Sequence, residues 1–206
     1  MNKTVSFIIF ALLLSSAFLH AKQVEDWTLR KEKNGIQVYT KKRPKSNLYM
    51  YKVKTQINAS LQRVYEQIID FRENLKYMEL VDSLKFLNHR EDISYINYIR
   101  FDMPWPVTNR EMVMEMDIHR HKDSIHLVSN DLPGYVEQNK NYIQVEDFSE
   151  EWLIKYDTNE KVTHITIQGW VNPGGDIPAW IVNLFSVRTP FRFISGILSE
   201  IKEDGY

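Results

Sequence analysis

The chain has 206 residues, and 26 lysine and arginine residues nearly balance 27 aspartate and glutamate residues, for a formal net charge of −1. This balance argues against a nucleic-acid-binding protein, which would concentrate positive charge, so we expect no nucleic-acid partner. The sequence contains no cysteine, which excludes disulfides, cysteine nucleophiles and lipid attachment to a cysteine.

The start of the chain has the layout of a secretory signal peptide. One cation, Lys3, precedes an apolar run from Val5 to Leu14, and small residues lead to Ala21. The apolar run is shorter than the ~20 residues that a spanning helix needs, which disfavours an uncleaved anchor. We therefore predict cleavage after Ala21, with Ala17 as the alternative. The expected location is the periplasm if the source is Gram-negative, and outside the cell otherwise.

Residues 1–21 are thus predicted to be the signal peptide, and residues 22–206 to form one domain. The remaining length is sufficient for one sizeable core. We expect a monomer without a cofactor or a bound metal.

The first predicted elements are a short helical stretch over 24–33, a turn at Asn34-Gly35 and a strand that begins at Ile36. Alternating side chains predict another strand over 47–58. The apolar period then changes, which predicts a helix over 59–71 whose free N–H groups Ser60 or Asn58 can cap.

The middle of the chain reads as a run of strands. Short turns join consecutive strands, so they pair antiparallel, because a parallel pair needs a crossover of a dozen or more residues. The predicted strands cover residues 83–89, 93–101, 110–119, 124–130, 141–157 and 161–171.

The last predicted element is a helix from Pro178 to about Lys202. Its apolar residues recur at steps of four and three, which indicates one continuous seam. Pro190 lacks an N–H and should kink the helix or split it near Thr189. The predicted architecture is α+β: a curved antiparallel sheet with one long terminal helix against a face. The seam consists of Trp180, Leu184, Val187, Phe191, Ile194, Leu198 and Ile201.

Two proline-containing motifs are informative about the family of this chain. The stretch "NPGGDIPAWIVN" supplies Asn172, Pro173, Gly174, Gly175, Ile177, Pro178, Trp180 and Asn183. The stretch "MPWPVTNREMV" supplies Pro104, Pro106, Asn109, Arg110 and Val113. Both motifs resemble those of the START family of lipid-transfer domains. The predicted opening helix and "NGIQVYTKK" also resemble the family's start, so that the likeness spans residues 24–204.

The resemblance implies a helix-grip fold, in which the sheet curls around the last helix and leaves an apolar tunnel for a lipid. Several family members carry an arginine inside the cavity where this chain has Met116, which favours a less charged ligand. Met112, Met114 and Met116 share one face of a strand, and flexible thioethers make an adaptable wall. The alternative for this stripe is ordinary core packing. The other predicted wall residues are Ile99, Phe101, Ile165, Ile167, Leu184, Val187, Phe191, Ile194 and Leu198.

Arg110 and the turn before the helix have structural roles in our interpretation. A buried arginine needs a partner, and Glu111, Asp102 or Asp176 could supply the carboxylate; contact with a lipid phosphate is the alternative. We interpret Gly174 and Gly175 as turn residues with positive φ. The helix is predicted to act as a gate, hinged at Pro173–Pro178 and weakened at Pro190.

The loop "HRHKDS" (119–124) has three interpretations: a solvated turn, a metal site using His119 and His121, or contact with anionic membrane head groups. The metal interpretation lacks further ligands at a convincing spacing.

We expect a protein that binds a lipid-class ligand and transfers or presents it between membranes with transient membrane contact, and not an enzyme. One alternative is a helix-grip enzyme of the cyclase or hydrolase type, for which the sequence offers a single acid/base cluster. Another alternative is a ligand-sensing module. The cluster would comprise Asp147, Glu150, Glu151 and His164.

Overall fold

The computed structural model describes residues 26–203, so the predicted signal peptide lies outside the described residues. Ten strands form one curved sheet. Their bounds are β1 (Thr28–Lys33), β2 (Ile36–Lys42), β3 (Tyr49–Ile57), β4 (Val81–Arg90), β5 (Ser94–Phe101), β6 (Arg110–Arg120), β7 (Ser124–Asp131), β8 (Ile143–Gln144), β9 (Asp147–Asp157) and β10 (Val162–Asn172).

Three α-helices accompany the sheet: α1 (Leu61–Ile69), α2 (Phe71–Asn74) and α3 (Ala179–Glu203), with a 3₁₀ turn over Leu75–Tyr77. The Ser60 side chain accepts a hydrogen bond from the backbone N–H of Arg63 at 3.2 Å, which confirms the predicted cap of α1. None of the helices in this part of the chain is long and apolar enough to span a membrane.

The strands follow the order β1-β2-β3-β10-β9-β7-β6-β5-β4, and each neighbouring pair is antiparallel. Hairpins account for most of these pairs, as the short predicted turns required. The α+β prediction of a large antiparallel sheet with a terminal helix against it is confirmed. This topology places the inner faces of β3, β5, β6, β7, β9 and β10 around the N-terminal part of α3.

The predicted opening helix is wrong over its described part, because residues 28–33 form β1. Asn34 and Gly35 have φ angles of 54° and 76°, the backbone of a tight hairpin turn that fits the twist of paired strands. β1 is an edge strand with mostly exposed, charged side chains, so its sequence lacks the apolar alternation that identifies strands.

Two further boundaries differ from the prediction. The long strand predicted over 141–157 is interrupted, because β8 pairs in parallel with the start of β6 before β9 begins. The predicted split near Thr189 is absent, since α3 continues through Pro190. Packing of the flanking turns against the sheet can maintain a helix across one missing hydrogen bond.

The two halves of α3 differ in how they pack against the core. Four isoleucine and leucine residues in the C-terminal half of this helix are buried against the sheet and α1: Ile194, Ile197, Leu198 and Ile201. The N-terminal half lies over a different part of the sheet, where the packing is open.

Candidate ligand cavity

A cavity of about 280 Å³ lies between the inner face of the sheet and the N-terminal half of α3. This volume is close to the lower limit of the ~300–1,000 Å³ that is usual for ligand pockets. Short segments at 78–81 and 173–177 complete the wall. The lining is predominantly apolar, with a few polar side chains.

The predicted sheet wall is present on β5 and β6. Met112, Met114 and Met116 line the cavity along β6, and Ile99 and Phe101 line it from β5. The methionine stripe extends from Met112 to Met116, roughly 14 Å at about 3.4 Å per residue of strand. Whether these side chains contact a ligand remains a prediction.

The predicted helix wall is wrong in its details. Leu184 is 55% exposed and Trp180 is 70% exposed, so neither faces the sheet. Val187 and Phe191 are only partly buried and lie outside the cavity wall, and the Lys31 ammonium covers the Phe191 ring at 3.6 Å. The residues of α3 that do line the cavity are Ile181, Val182, Phe185, Ser186, Thr189, Pro190 and Phe193.

The N-terminal members of the predicted seam face solvent because the period of an α-helix differs from the period of the apolar repeat. The seam repeats every 3.5 residues on average, whereas an α-helix has 3.6 residues per turn, so the seam rotates about 20° per heptad. Across the three heptads from Trp180 to Ile201 the rotation reaches about 60°. Because the core fixes the C-terminal end of the seam, the N-terminal members turn towards solvent.

Four other predicted wall residues belong to the solid core. Ile165 and Ile167 on β10, and Ile194 and Leu198 on α3, are buried and do not line the cavity. β10 contributes Val171 instead. Periodicity identifies the inward face of a strand, but it cannot separate the part that packs against the helix from the part that leaves a space.

Arg110 lies at one end of the cavity and is 3% exposed. Its guanidinium donates to the carbonyl oxygens of Thr108, Pro173 (3.4 Å) and Gly174 (3.0 Å). Within residues 26–203 no carboxylate pairs with it, so the predicted ion pair with Glu111, Asp102 or Asp176 is wrong. Burial lowers the pKa of this guanidinium.

The turn before α3 has the predicted backbone. Gly174 and Gly175 have φ angles of 69° and 63°, a region that favours glycine. The Asn172 side chain accepts from the N–H of Gly174 at 3.3 Å. α3 begins directly after Pro178, whose carbonyl accepts from the N–H of Ile181 at 2.9 Å. Because Arg110 donates to the carbonyl oxygens of Pro173 and Gly174 in this turn, it fixes the point where the helix leaves the sheet.

Glu150 places a carboxyl group in the cavity wall, although the sequence suggested it only as part of the candidate acid/base cluster. It is half-buried, and it accepts hydrogen bonds from the Tyr51 hydroxyl and from Trp152 Nε1 at 2.7 Å. Burial raises the pKa of Glu150, and the two hydrogen bonds oppose that rise. The signal was available, since Phe148, Glu150 and Trp152 alternate on one face of β9.

Glu79 also lines the cavity, and the sequence offered no pattern that marked it, because it lies in a loop. Its Oε1 atom pairs with the Arg188 guanidinium on α3 at 2.7 Å, and its buried Oε2 atom has no hydrogen-bond partner. We call the Glu79–Arg188 ion pair the α3 latch, because it joins the cavity rim to the helix.

The acid/base cluster proposed for an enzyme does not form. Glu150 faces the cavity, Asp147 pairs with Arg43, Glu151 lies 3.7 Å from His126, and His164 lies 3.8 Å from Glu160. Asp157, Glu160 and His164 approach one another in the exposed β9–β10 turn. Exposed groups of this kind are common without a metal.

The comparisons with known proteins agree with this architecture. The START domain family profile matches residues 17–203. The chain belongs to the START domain family. An uncharacterised protein of Pseudomonas aeruginosa is 30% identical over 178 residues, covering 85% of this chain and 86% of the relative. Mouse phosphatidylcholine transfer protein is 27% identical over 165 residues, covering 77% and 75%.

A solved STAR-related lipid transfer protein from Xanthomonas axonopodis has the same fold. It superposes with a TM-score of 0.76 at 25% identity, covering 85% of this chain and 98% of that chain. The helix-grip prediction is therefore confirmed, and membership of the START family supports binding of a hydrophobic ligand.

Proposed function

We propose that this protein binds one lipid-class molecule in the cavity beneath α3 and carries it between membranes outside the cytoplasm, as a monomer and without enzymatic turnover. The observation that carries the proposal is an apolar cavity with one wall formed by a single helix half. Two similar proteins are named as lipid carriers. The predicted signal peptide supports export.

The energetics favour a carrier. Each methylene that leaves an apolar environment for water costs ~0.8 kcal/mol, so a chain of ~15 methylenes costs on the order of 12 kcal/mol. An apolar cavity replaces the burial that the bilayer supplied, and net transfer becomes nearly neutral. Entry of the ligand still requires a wall to open.

The N-terminal half of α3 is the proposed gate. It covers the cavity up to Pro190, which removes the N–H that would bond to the Ser186 carbonyl. Its contacts with the rest of the protein include polar ones: the α3 latch, and the Asn183 side chain on the loop before β3. Asn183 Oδ1 accepts from the N–H of Tyr49 at 2.9 Å, and its Nδ2 donates to the Asn47 carbonyl at 3.0 Å.

A disulfide between these elements tests the gate. We expect the double variant Asn47→Cys/Asn183→Cys, once oxidised, to lose transfer of a fluorescent lipid between vesicles, because the helix cannot leave the sheet. The native chain has no cysteine, so the added pair is unambiguous. Reduction should restore transfer.

A second pair provides the control for this lock. Lys155→Cys/His164→Cys joins residues that are direct partners in the β9–β10 ladder, away from α3. This bridge should leave transfer unchanged. Full transfer by the oxidised Asn47/Asn183 variant would refute the gate.

We propose that the membrane meets the end of the molecule where β6 begins. Trp105 is 93% exposed in the β5–β6 loop, and Trp180 and Leu184 are exposed on α3. These residues lie at the same end because Arg110, next to that loop, contacts the turn that leads into α3. Indole rings are favoured at membrane–water interfaces.

Charge at this end also suits an anionic bilayer. Exposed Lys42 and Lys45 lie at the end of β2 and in the loop that contacts Asn183. The basic loop at 119–124 lies at the other end of β6, about 33 Å away at roughly 3.3 Å per residue. It is therefore the weaker candidate for membrane contact during ligand exchange.

The docking surface predicts a specific loss of vesicle binding. Trp105→Ser/Trp180→Ser should lower co-sedimentation with vesicles of phosphatidylcholine and phosphatidylglycerol by about tenfold, because two interfacial anchors are removed. Leu153→Ser, which changes an exposed apolar residue on the outer face of β9, is the control. Equal losses in both variants would contradict the assignment.

A further inference from the structure

A row of side chains crosses the sheet at the Met116 end of the cavity. The strand register places Tyr51, Gly169, Glu150, Ser129 and Met116 side by side on β3, β10, β9, β7 and β6. All of these except the glycine line the cavity. We call Tyr51, Glu150 and Ser129 the polar band, since the rest of the sheet wall near them is apolar.

Gly169 allows the polar band to form. A Cβ atom at this position would lie 3.0 Å from the Tyr51 hydroxyl and 2.6 Å from the Ser149 carbonyl oxygen. Without that atom, the Tyr51 side chain reaches across β10 and donates to Glu150. The absence of a side chain on the middle strand therefore has a chemical consequence in the cavity.

The polar band carries no compensating cation. Within residues 26–203 no lysine, arginine or histidine pairs with Glu150, whose partners are Tyr51 and Trp152. An isolated charge in an apolar site is disfavoured, which raises the pKa of a carboxyl group. The raised pKa of Glu150 follows this rule. Arg110 donates to the carbonyl oxygens of Thr108, Pro173 and Gly174 and does not pair with Glu150.

We infer that the polar band binds the hydroxyl group of an otherwise apolar molecule, a long-chain alcohol or a hydroxylated ring system. This inference rests on the function proposed above and names its ligand class. A hydroxyl both donates and accepts, so it can bond to the Glu150 carboxyl and to Ser129 without bringing a charge. A cavity of about 280 Å³ suits one chain or ring system.

Displacement of the neutral fluorophore N-phenyl-1-naphthylamine from the mature protein tests the inference. The competitors are decan-1-ol, undecane, which has the same number of heavy atoms, and decyltrimethylammonium. We expect Glu150→Leu to lower the ratio of alcohol affinity to alkane affinity by about tenfold, the contribution of one net hydrogen bond. Glu150→Gln should retain most of the wild-type ratio.

Glu151→Gln is the matched control, because Glu151 is the next residue on β9, faces away from the cavity and bonds to Gln168. It should retain the full wild-type ratio. An unchanged ratio in Glu150→Leu would overturn the inference but leave the proposed carrier intact. A preference for the ammonium compound that Glu150→Gln removes would also overturn it. Failure of every probe to bind would overturn the proposed function itself.

Discussion

The two halves of α3 have the same secondary structure and opposite surroundings. The C-terminal half is anchored in the core through Ile194, Ile197, Leu198 and Ile201. The N-terminal half covers the cavity, exposes Trp180 and Leu184, and is held partly by the α3 latch. One helix thus combines an anchor with a cover, and the difference lies in what each turn packs against.

Close contacts strengthen the anchored half. A Cβ atom at Gly196 would lie 2.2 Å from the ring of Tyr77, so the glycine lets this ring pack directly on the helix. The Tyr77 hydroxyl and Lys76 both bond to Glu200, the latter at 2.8 Å. In the covering half, no ring packs on a glycine in the way that Tyr77 packs on Gly196, which is consistent with a segment that must move.

The largest expected effect separates the halves by stability. Ile197→Ala should lower the free energy of unfolding by about 2–5 kcal/mol, because it leaves a space in packed core. Leu184→Ala, on the exposed face of the covering half, should change it by less than about 0.5 kcal/mol. Chemical denaturation measures both. Similar losses would show that the halves are equally anchored.

A smaller effect is expected from the α3 latch. Arg188→Gln leaves the buried Glu79 carboxyl group without its cation, and should speed release of a bound fluorophore roughly fivefold, equivalent to about 1 kcal/mol. Glu79→Gln removes the charge itself, so its effect should be weaker. Stopped-flow dilution into vesicles measures these rates.

The matched control for the latch is Lys76→Gln, which breaks the ion pair with Glu200 on the anchored half. Release should then proceed at the wild-type rate. If Lys76→Gln speeds release as much as Arg188→Gln, the latch has no special part in closing the cavity.

The strands could be predicted from the sequence wherever one face of the strand is apolar and the other is polar. The hairpins of β4 to β7 and of β9 with β10 have alternating side chains and charged turns, and the structure confirms them. β1 could not be predicted from alternation, since it is an exposed edge whose pairing with β2 determines its conformation.

The candidate site was predictable on the sheet and only partly on the helix. Alternation identified the methionine stripe of β6, because the side-chain period of a strand is fixed. The predicted place of Leu184 in the helix wall is wrong, because the small rotation of the apolar seam accumulates over three heptads. The proposed ligand role of Glu150 could not be predicted, because the sequence does not show which strands are neighbours. The role of Gly169 depends on the Tyr51 side chain, which crosses β10 at this glycine.

The central claim is that the space beneath the covering half of α3 holds a hydrophobic guest. Its most direct test is the binding of N-phenyl-1-naphthylamine to two matched variants of the protein expressed without the predicted signal peptide. Ser186 lines the cavity, whereas Leu184 faces solvent. Ser186→Phe should fill the space and lower affinity at least tenfold, and Leu184→Phe should bind one fluorophore per chain as the wild type does. Undiminished binding by a folded Ser186→Phe variant would contradict the claim.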